Sequence, residues 1–586
     1  MIGRKRSARE AVLSPIPDGR LFSHVPDPQR PGRARDAGER YALRIPVRVR
    51  TDAGSFAAQS VELSQTGMLL RAPEGAPLPA PGDGVRLRFT LRPGDLQEGT
   101  EKRYRVRAEV ERLEEGCFAV RFAEPLWRTR RRVREPVMIV AASACLLLVT
   151  LFILLMRAES VIYFRQNRLL YGYSILTAVY LLTRYGFGMA YRPVPVEEGY
   201  TPSVTIVIPC FNEEKWIRRT ILSCIDQDYP ADRLELIIVD DGSTDGSVQA
   251  IKDTVRELFE QGGRFDVSRR VRVFFQRRNQ GKREAMGLGV RCCRTELVAF
   301  VDSDSFLEPD AIRCLVQPLR DPKVAGVTGR TDVANGYVNW LTKMQCVRYY
   351  ISFRIMKAAE AVFDCVMCLS GPLSCYRLSA VREVLEPWLN QTFLGQRATF
   401  GDDRSLTNFI VRHHRTAYQD TAVCSTVVPE TSRVFLRQQM RWKRSWLRES
   451  LNAASFMWRK EPMMAFTYYV GLLVPLLAPI IVLYNLVYVP LTLHVFPTTF
   501  LLGLLMMALM MSFMQLLLRR SSLWGYGLLF CLYYEAVLLW QMPWAWVTFW
   551  VSDWGTRGSG AKRESDRQGA AVPVGRGRRA HAGQRG

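Results

Sequence analysis

The chain has no disulfide framework: its 13 cysteines are scattered without regular spacing. That excludes the small cross-linked secreted folds and fits a reducing, cytoplasmic setting. Cys365-x-x-Cys368 has no second cysteine pair at a suitable distance, so it is at most half of a structural zinc site. Acidic residues are also in deficit. Against 80 Lys and Arg stand 56 Asp and Glu, leaving a net charge of +24. Such a balance points to nucleic acid, anionic lipid or phosphate-rich ligands. Charge itself is missing from long stretches. Val137 to Met156 is 20 residues without a charged side chain, enough for one helix to span a bilayer. Leu169 to Ala190 is a second run, weakened by Arg184, and Ala465 to Leu493, Thr498 to Leu518 and Leu523 to Val551 follow. The first run begins beyond residue 130, too late for a cleaved leader. The 586 residues therefore read as an integral membrane protein with a large soluble insert, 197 to about 460.

The basic residues orient it. Arg128, Arg130, Arg131, Arg132 and Arg134 precede the first run, Arg519 and Arg520 follow a later one, and the tail from Arg557 to Arg585 is rich in Arg. Positive residues stay on the cytoplasmic side, so the N-terminus, insert and tail are expected there. This clustering at membrane flanks also argues against a nucleic-acid partner. An even number of spans is required, and the stretch Trp540 to Trp546, with Pro543, is the expected irregular piece. Glu535 inside the last run marks a functional position or a simple polar pairing.

Residues 1–38, rich in Arg, Pro and Gly, read as disordered, as does the basic tail 556–586. Over 39–127 apolar and polar residues alternate: Ile45 to Val49, Val85 to Phe89, Tyr104 to Val110 and Phe118 to Phe122. Period two with turns between predicts a small antiparallel barrel. Arg40-Tyr-Ala-Leu-Arg44, Glu62-Leu-Ser64-Gln-Thr-Gly67 and Gly116 to Phe122 together resemble a PilZ domain, the receptor for cyclic di-GMP. The resemblance implies that Arg40, Arg44, Glu62, Ser64 and Gly67 hold that ligand. Two guanidinium groups can clamp phosphates and stack on guanine. Glu62 departs from the family's usual Asp or Asn. A solvated basic barrel is the plainer alternative.

From Val204 the pattern changes to strands alternating with helices. Val204 to Pro209, Leu234 to Val239, Val271 to Phe275, Leu297 to Val301 and Val324 to Thr328 read as strands. Helices are expected from about Glu214 to Asp226, Ser247 to Glu260 and onward from Lys282. Such alternation predicts a parallel, doubly wound sheet with its site at the strand ends. Those ends carry Asp240-Asp241-Gly242, Gln280-Gly281-Lys282 and Asp302-Ser303-Asp304. Two carboxylates one residue apart suit a divalent cation on a diphosphate, and Lys282 at a helix start suits the diphosphate itself. Each motif alone also occurs in surface turns.

In this order they resemble the inverting glycosyltransferases of family 2, over residues 203 to about 450. Four further segments sharpen the likeness toward processive synthases of the hyaluronan type, with chitin and cellulose synthases on the same scaffold. They are Cys365 to Arg377, Gly401 to Asn408, Gln438-Gln-Met-Arg441-Trp442 and Asp553-Trp-Gly-Thr-Arg557. The resemblance implies a GT-A-like transferase domain over 200–430, interface helices over 431–460, a C-terminal membrane region over 463–551 and two membrane helices over 137–190, in a bacterial inner membrane. It implies Asp240 and Asp241 at uridine and ribose, Asp302 and Asp304 on Mg²⁺ or Mn²⁺, and Lys282 and Arg441 at the UDP phosphates. It places the growing polysaccharide near Ser370, Gly371, Pro372, Gln438 and Trp442, with Asp403 as general base. The segment Phe435 to Ser450 is expected to turn Arg437, Lys443, Arg444 and Arg448 to lipid headgroups. Two alternatives stay open: a non-processive transferase on a lipid-linked acceptor, and an inactive membrane receptor for cyclic di-GMP.

Overall fold

The computed structural model describes residues 41–126 and 168–551 apart from short internal segments (43–44, 53, 65, 74–77, 92–101, 115, 125, 262–264, 399, 495 and 520–522), together with Leu151. Arg40, Arg44, the run Val137 to Met156 apart from Leu151, both termini and the segment Asp553 to Arg557 lie outside the described residues. The chain divides into two compact units with a boundary near Arg134.

The first unit is a closed antiparallel barrel. Its strands are β1 (Tyr41–Ala42), β2 (Pro46–Thr51), β3 (Gly54–Leu63), β4 (Gly67–Arg71), β5 (Gly84–Leu91), β6 (Lys102–Glu114) and β7 (Cys117–Phe122). The order β3-β2-β5-β6-β7-β4 closes when β4 pairs back onto β3, and β1 is added outside β3. Alternation explains the closure. Val47, Val49, Leu87, Phe89, Val106, Phe118 and Val120 point inward and are buried, and the residues between them face water.

The second unit is built on an eight-stranded sheet. Its strands are β8 (Val204–Cys210), β9 (Leu234–Asp240), β10 (Val271–Phe275), β11 (Leu297–Phe300), β12 (Ser305–Leu307), β13 (Val324–Val333), β14 (Ser374–Arg377) and β15 (Arg415–Thr426). The order is β10-β9-β8-β11-β14-β13-β15-β12. Strands β8, β9 and β11 are buried from end to end or nearly so, as expected of strands covered on both faces. The expected all-parallel sheet is corrected. Strands β10, β9, β8 and β11 are parallel, but β14 runs antiparallel to both β11 and β13. After β13 the chain makes a helical excursion and re-enters at the edge it left, so no crossover reverses it. That re-entry places Gly371 and Pro372 beside Asp302, because Phe300 and Ser374 are register partners.

Helices α1 (Arg168–Ala190), α2 (Ile217–Ile225), α3 (Ser247–Glu260), α4 (Lys282–Cys292), α5 (Trp340–Ile351), α6 (Leu378–Leu389) and α7 (Asp402–His413) pack on or beside this sheet. Helix α8 (Ser432–Met457) follows, then α9 (Pro462–Leu483), which passes through a π-helical stretch, Tyr484–Tyr488, and continues as Val489–Leu493. The widening precedes Pro490, whose missing N–H breaks the regular ladder. Among the described residues one helical run, Pro462–Thr492, is long and apolar enough to cross a membrane, and Phe500–Phe513 and Tyr526–Leu538 are shorter apolar helices. Tyr526–Tyr533 leads into another π-helical stretch, Tyr534–Leu538, and the stretch Trp540 to Trp546 is a turn followed by a short helix.

Helix α8 corrects a second expectation. Arg448 is buried, pairs with Glu449 at 2.9 Å and donates to the Phe400 carbonyl. Lys443 donates to the Leu538 carbonyl and Arg444 donates to Thr548 Oγ1 at 3.1 Å. These three cations satisfy protein oxygens in place of headgroups; Arg437 stays exposed. The cause is what packs against α8: the Leu538 carbonyl at a helix end, the Thr548 hydroxyl and the Phe400 loop carbonyl all accept from its long basic side chains.

Candidate active site

The nucleotide edge is set by β9. Asp240 ends the strand, 1% exposed, and accepts from Ser243 N–H at 3.1 Å through Oδ2, while its Oδ1 is buried without a partner. Asp241 follows and accepts from the backbone N–H of Gln280 and Gly281, each at 2.8 Å. Burial pushes its carboxyl up to about 6 despite those two donors. Gly242 has φ +70, and a Cβ there would lie 2.6 Å from the Arg278 carbonyl carbon. Only glycine lets the two loops close. The second loop leads directly into α4, whose first residue is Lys282.

Lys282 pairs with Asp302 just past the end of β11. Burial opposes its charge, and Asp302, with Asp402 and Asp403 behind it, outweighs burial and raises its pKa. A Cβ on Gly371 would lie 2.9 Å from Asp302 Oδ2 and 3.2 Å from Lys282 Nζ. The loop before β14 therefore lies against the charged pair. Asp304 accepts from Thr426 Oγ1 at 3.3 Å, at the end of β15. Ser370 Oγ is 2.6 Å from Lys357 Nζ, which also donates to the Cys368 carbonyl. Burial lowers the Lys357 pKa.

The other wall is the start of α7. Asp402 is 4% exposed and pairs with Arg283 at 2.9 Å. Arg283 also donates to the Trp388 carbonyl at 2.9 Å. Adjacent residues of α4 thus hold two carboxylates 100 positions apart in sequence, Asp302 and Asp402. Asp403 accepts from Arg404 N–H at 2.8 Å, and its Oδ2 is 3.6 Å from Cys368 Sγ. Cys365 instead contacts Met367 sulfur, so the two cysteines of the pair have different neighbours. Gly401 has φ +80, and a Cβ there would fall 1.8 Å from Ser445 Oγ of α8. Helices α7 and α8 meet at that glycine. They are also joined by Asn408, which donates to the Glu449 carbonyl at 2.9 Å.

Helix α8 carries Gln438, Arg441 and Trp442. Gln438 Oε1 is buried without a partner. The Arg348 guanidinium of α5 lies 5.2 Å from the centre of the Trp442 ring and donates to Gln439 Oε1 at 2.7 Å. Sequence reasoning missed Arg283, Arg348 and Lys357. Arg283 and Arg348 pair with residues 119 and 91 positions away, and Lys357 with a loop 11 to 13 positions on, so no single motif contains both partners.

Among the described residues no three His, Cys, Asp or Glu side chains cluster as a metal cage. Two carboxylates, Asp302 and Asp304, stand at one sheet edge. That donor set fits Mg²⁺ or Mn²⁺ on a substrate diphosphate, because such ions keep water and phosphate oxygens as their remaining ligands. In the barrel, Ser64 Oγ accepts from Gly67 N–H at 2.9 Å and donates to its carbonyl. A Cβ on Gly67 would strike the Val120 carbonyl oxygen at 2.7 Å. Glu62 pairs in register with Ala42 of β1.

Comparison with known proteins agrees with this division. Residues 34–135 match the PilZ domain, 205–385 match glycosyl transferase family 2, and 297–552 match glycosyl transferase family group 2. A hyaluronan synthase of Streptococcus pyogenes is 35% identical over 282 residues, 48% of this chain and 65% of that protein. An N-acetylglucosaminyltransferase of Rhizobium meliloti (strain 1021) is 36% identical over 281 residues, 48% of this chain and 64% of that protein. One of Rhizobium leguminosarum bv. viciae is 34% identical over 260 residues, 44% and 59%. The chain thus spans somewhat under two thirds of the length of the curated relatives it matches. Residues 205–552 thus carry glycosyl transferase family 2 and family group 2 domains, and residues 34–135 a PilZ domain.

Proposed function

We propose that the protein is a membrane-embedded, inverting, processive glycosyltransferase that adds sugars from UDP-sugar donors to a β-linked, hyaluronan-like polysaccharide. It exports the product and responds to cyclic di-GMP. One observation carries the reading. The loop Cys368 to Gly371 touches Asp403 at one end and the Lys282–Asp302 pair at the other. Four residues reach at most about 14 Å, so Asp403 and the Lys282–Asp302 pair lie close together, which supports assigning a proton acceptor and a diphosphate anchor to one site.

In this reading Asp240 and Asp241 receive the uridine, and Lys282 and Arg441 face the diphosphate. The acceptor hydroxyl attacks the anomeric carbon, its proton passes to Asp403, and the bond to UDP breaks with inversion. A divalent ion held by Asp302 and Asp304 would neutralise charge on the departing diphosphate. Trp442, braced by Arg348, offers a flat apolar face for the acceptor sugar, with Gln438 and the Ser370–Pro372 loop beside the entry. In the barrel, Arg40, Arg44, Glu62, Ser64 and Gly67 receive cyclic di-GMP.

The test is UDP release and radiolabel incorporation in purified membranes, with UDP-N-acetylglucosamine and UDP-glucuronate supplied singly and together. Polymer from the pair supports the hyaluronan-like reading; no UDP release from any UDP-sugar overturns the function. The similarity to two N-acetylglucosaminyltransferases favours a second reading, a polymer of N-acetylglucosamine alone. The single-donor arm decides between them.

A further inference from the structure

The barrel carries a charge arrangement that neither ligand recognition nor catalysis uses. In the register of β2, β5 and β6, Arg48 lies opposite Arg88 and Arg88 opposite Arg105. One step along, Arg50 lies opposite Arg86 and Arg86 opposite Arg107. All six side chains are exposed, since Val47, Val49, Leu87, Val106 and their neighbours take the inward positions. None of the six makes an ion pair with a described residue; the ion pair recorded on β6 is Glu111 with Arg121, toward β7. Three strands span roughly 10 Å, so six guanidinium groups share a small flat face.

Like charges directly opposite one another on a sheet repel. A solvated face has no need of two such rows, and alternating signs would stabilise the barrel better. The patch is also remote from the Ser64–Gly67 turn. In the ring order of strands, β5 lies directly across from β4. A polyanionic surface relieves the repulsion. Ten residues, Trp127 to Pro136, separate Leu126 from the apolar run that begins at Val137, and five of them are Arg. Fully extended they reach about 35 Å at most, so the barrel cannot leave the bilayer surface far behind.

We propose that the face formed by Arg48, Arg50, Arg86, Arg88, Arg105 and Arg107 docks on the anionic headgroups of the cytoplasmic leaflet. Anionic leaflets attract basic surfaces beside a membrane segment within about a Debye length of ~8–10 Å. The proposal rests on the membrane placement given above, and its test separates the two.

The full chain is incorporated into nanodiscs of phosphatidylcholine alone and of phosphatidylcholine mixed with phosphatidylglycerol. Phenylglyoxal modification of each arginine is followed by mass spectrometry, with Arg121 as the exposed internal control. The expected result is a several-fold slower modification of the six arginines in the anionic discs, abolished by high salt, with Arg121 unchanged. Equal rates in both discs overturn the docking, whether the six are uniformly reactive (a solvated face) or uniformly protected (a protein partner). Protection that appears only on adding polysaccharide or nucleic acid also overturns it. A chain that does not enter nanodiscs at all overturns the membrane placement itself.

Discussion

Single residues set the chemistry. Asp241 has its carboxyl pushed up to about 6 from an ordinary 3.8 by burial. Between those values the folded chain binds more protons than the unfolded one, so this group's contribution to stability falls as pH rises from about 4 to 6 and is level above. A uridine that donates to the ionised carboxylate meets a ready acceptor only above that range. UDP affinity, measured by calorimetry, is expected to weaken as pH drops below about 6, and Asp241→Asn should remove that pH dependence. Gly371 makes a second prediction. A methyl group there meets Asp302 and Lys282 at 2.9 and 3.2 Å. Gly371→Ala should raise the donor KM about tenfold, or ~1.4 kcal/mol, with a nearly unchanged unfolding midpoint.

Elements bring those residues together. Helix α4 begins with two basic residues that grip Asp302 and Asp402, and helices α7 and α8 meet at Gly401. Removing one partner of a buried ion pair leaves an unpaired charge and typically costs about 3–5 kcal/mol. Arg283→Met is therefore expected to lower the unfolding midpoint in detergent and slow transfer together. Arg283→Met combined with Asp402→Leu should recover much of the stability, because no buried charge remains; a double variant no more stable than the single would contradict the pairing. At this scale the sequence was only partly legible. Asp302 could be read because a carboxylate pair at a strand end is a local signal, whereas Gly371 and Asp403 were reached through the resemblance of their segments to processive synthases. The Arg283–Asp402 pair spans 119 positions and left no local trace. Strand β14, Ser-Cys-Tyr-Arg, is not among the strands expected from the pattern, and nothing in its four residues states that it runs antiparallel. Lys443, Arg444 and Arg448 misled for a related reason. On a helical wheel they resemble a headgroup-facing stripe, but the oxygens they satisfy, the Leu538 carbonyl, the Thr548 hydroxyl and the Phe400 carbonyl, lie 95, 104 and 48 positions away.

The whole molecule contains a PilZ barrel and a glycosyltransferase domain followed by apolar helices. The barrel was legible almost strand by strand, because period two survives any tertiary context. The apolar C-terminal region was less so, since proline and π-helical breaks cut long apolar runs into shorter helices. At this scale the account expects cyclic di-GMP binding by the full chain, with Arg44→Ala raising Kd at least tenfold by calorimetry. Equal affinity in that variant would mean the Arg40–Arg44 segment is not the clamp.

The central claim is that Asp403 takes the acceptor proton in a cleft shared with the Lys282–Asp302 pair. Polymer formation by membranes bearing the wild-type chain or Asp403→Asn, under identical UDP-sugar and divalent-ion supply, tests it most directly. The account predicts polymer from the wild type and a loss of about 10²–10⁴-fold in the variant, with UDP binding retained. Polymer from Asp403→Asn at the wild-type rate would contradict it.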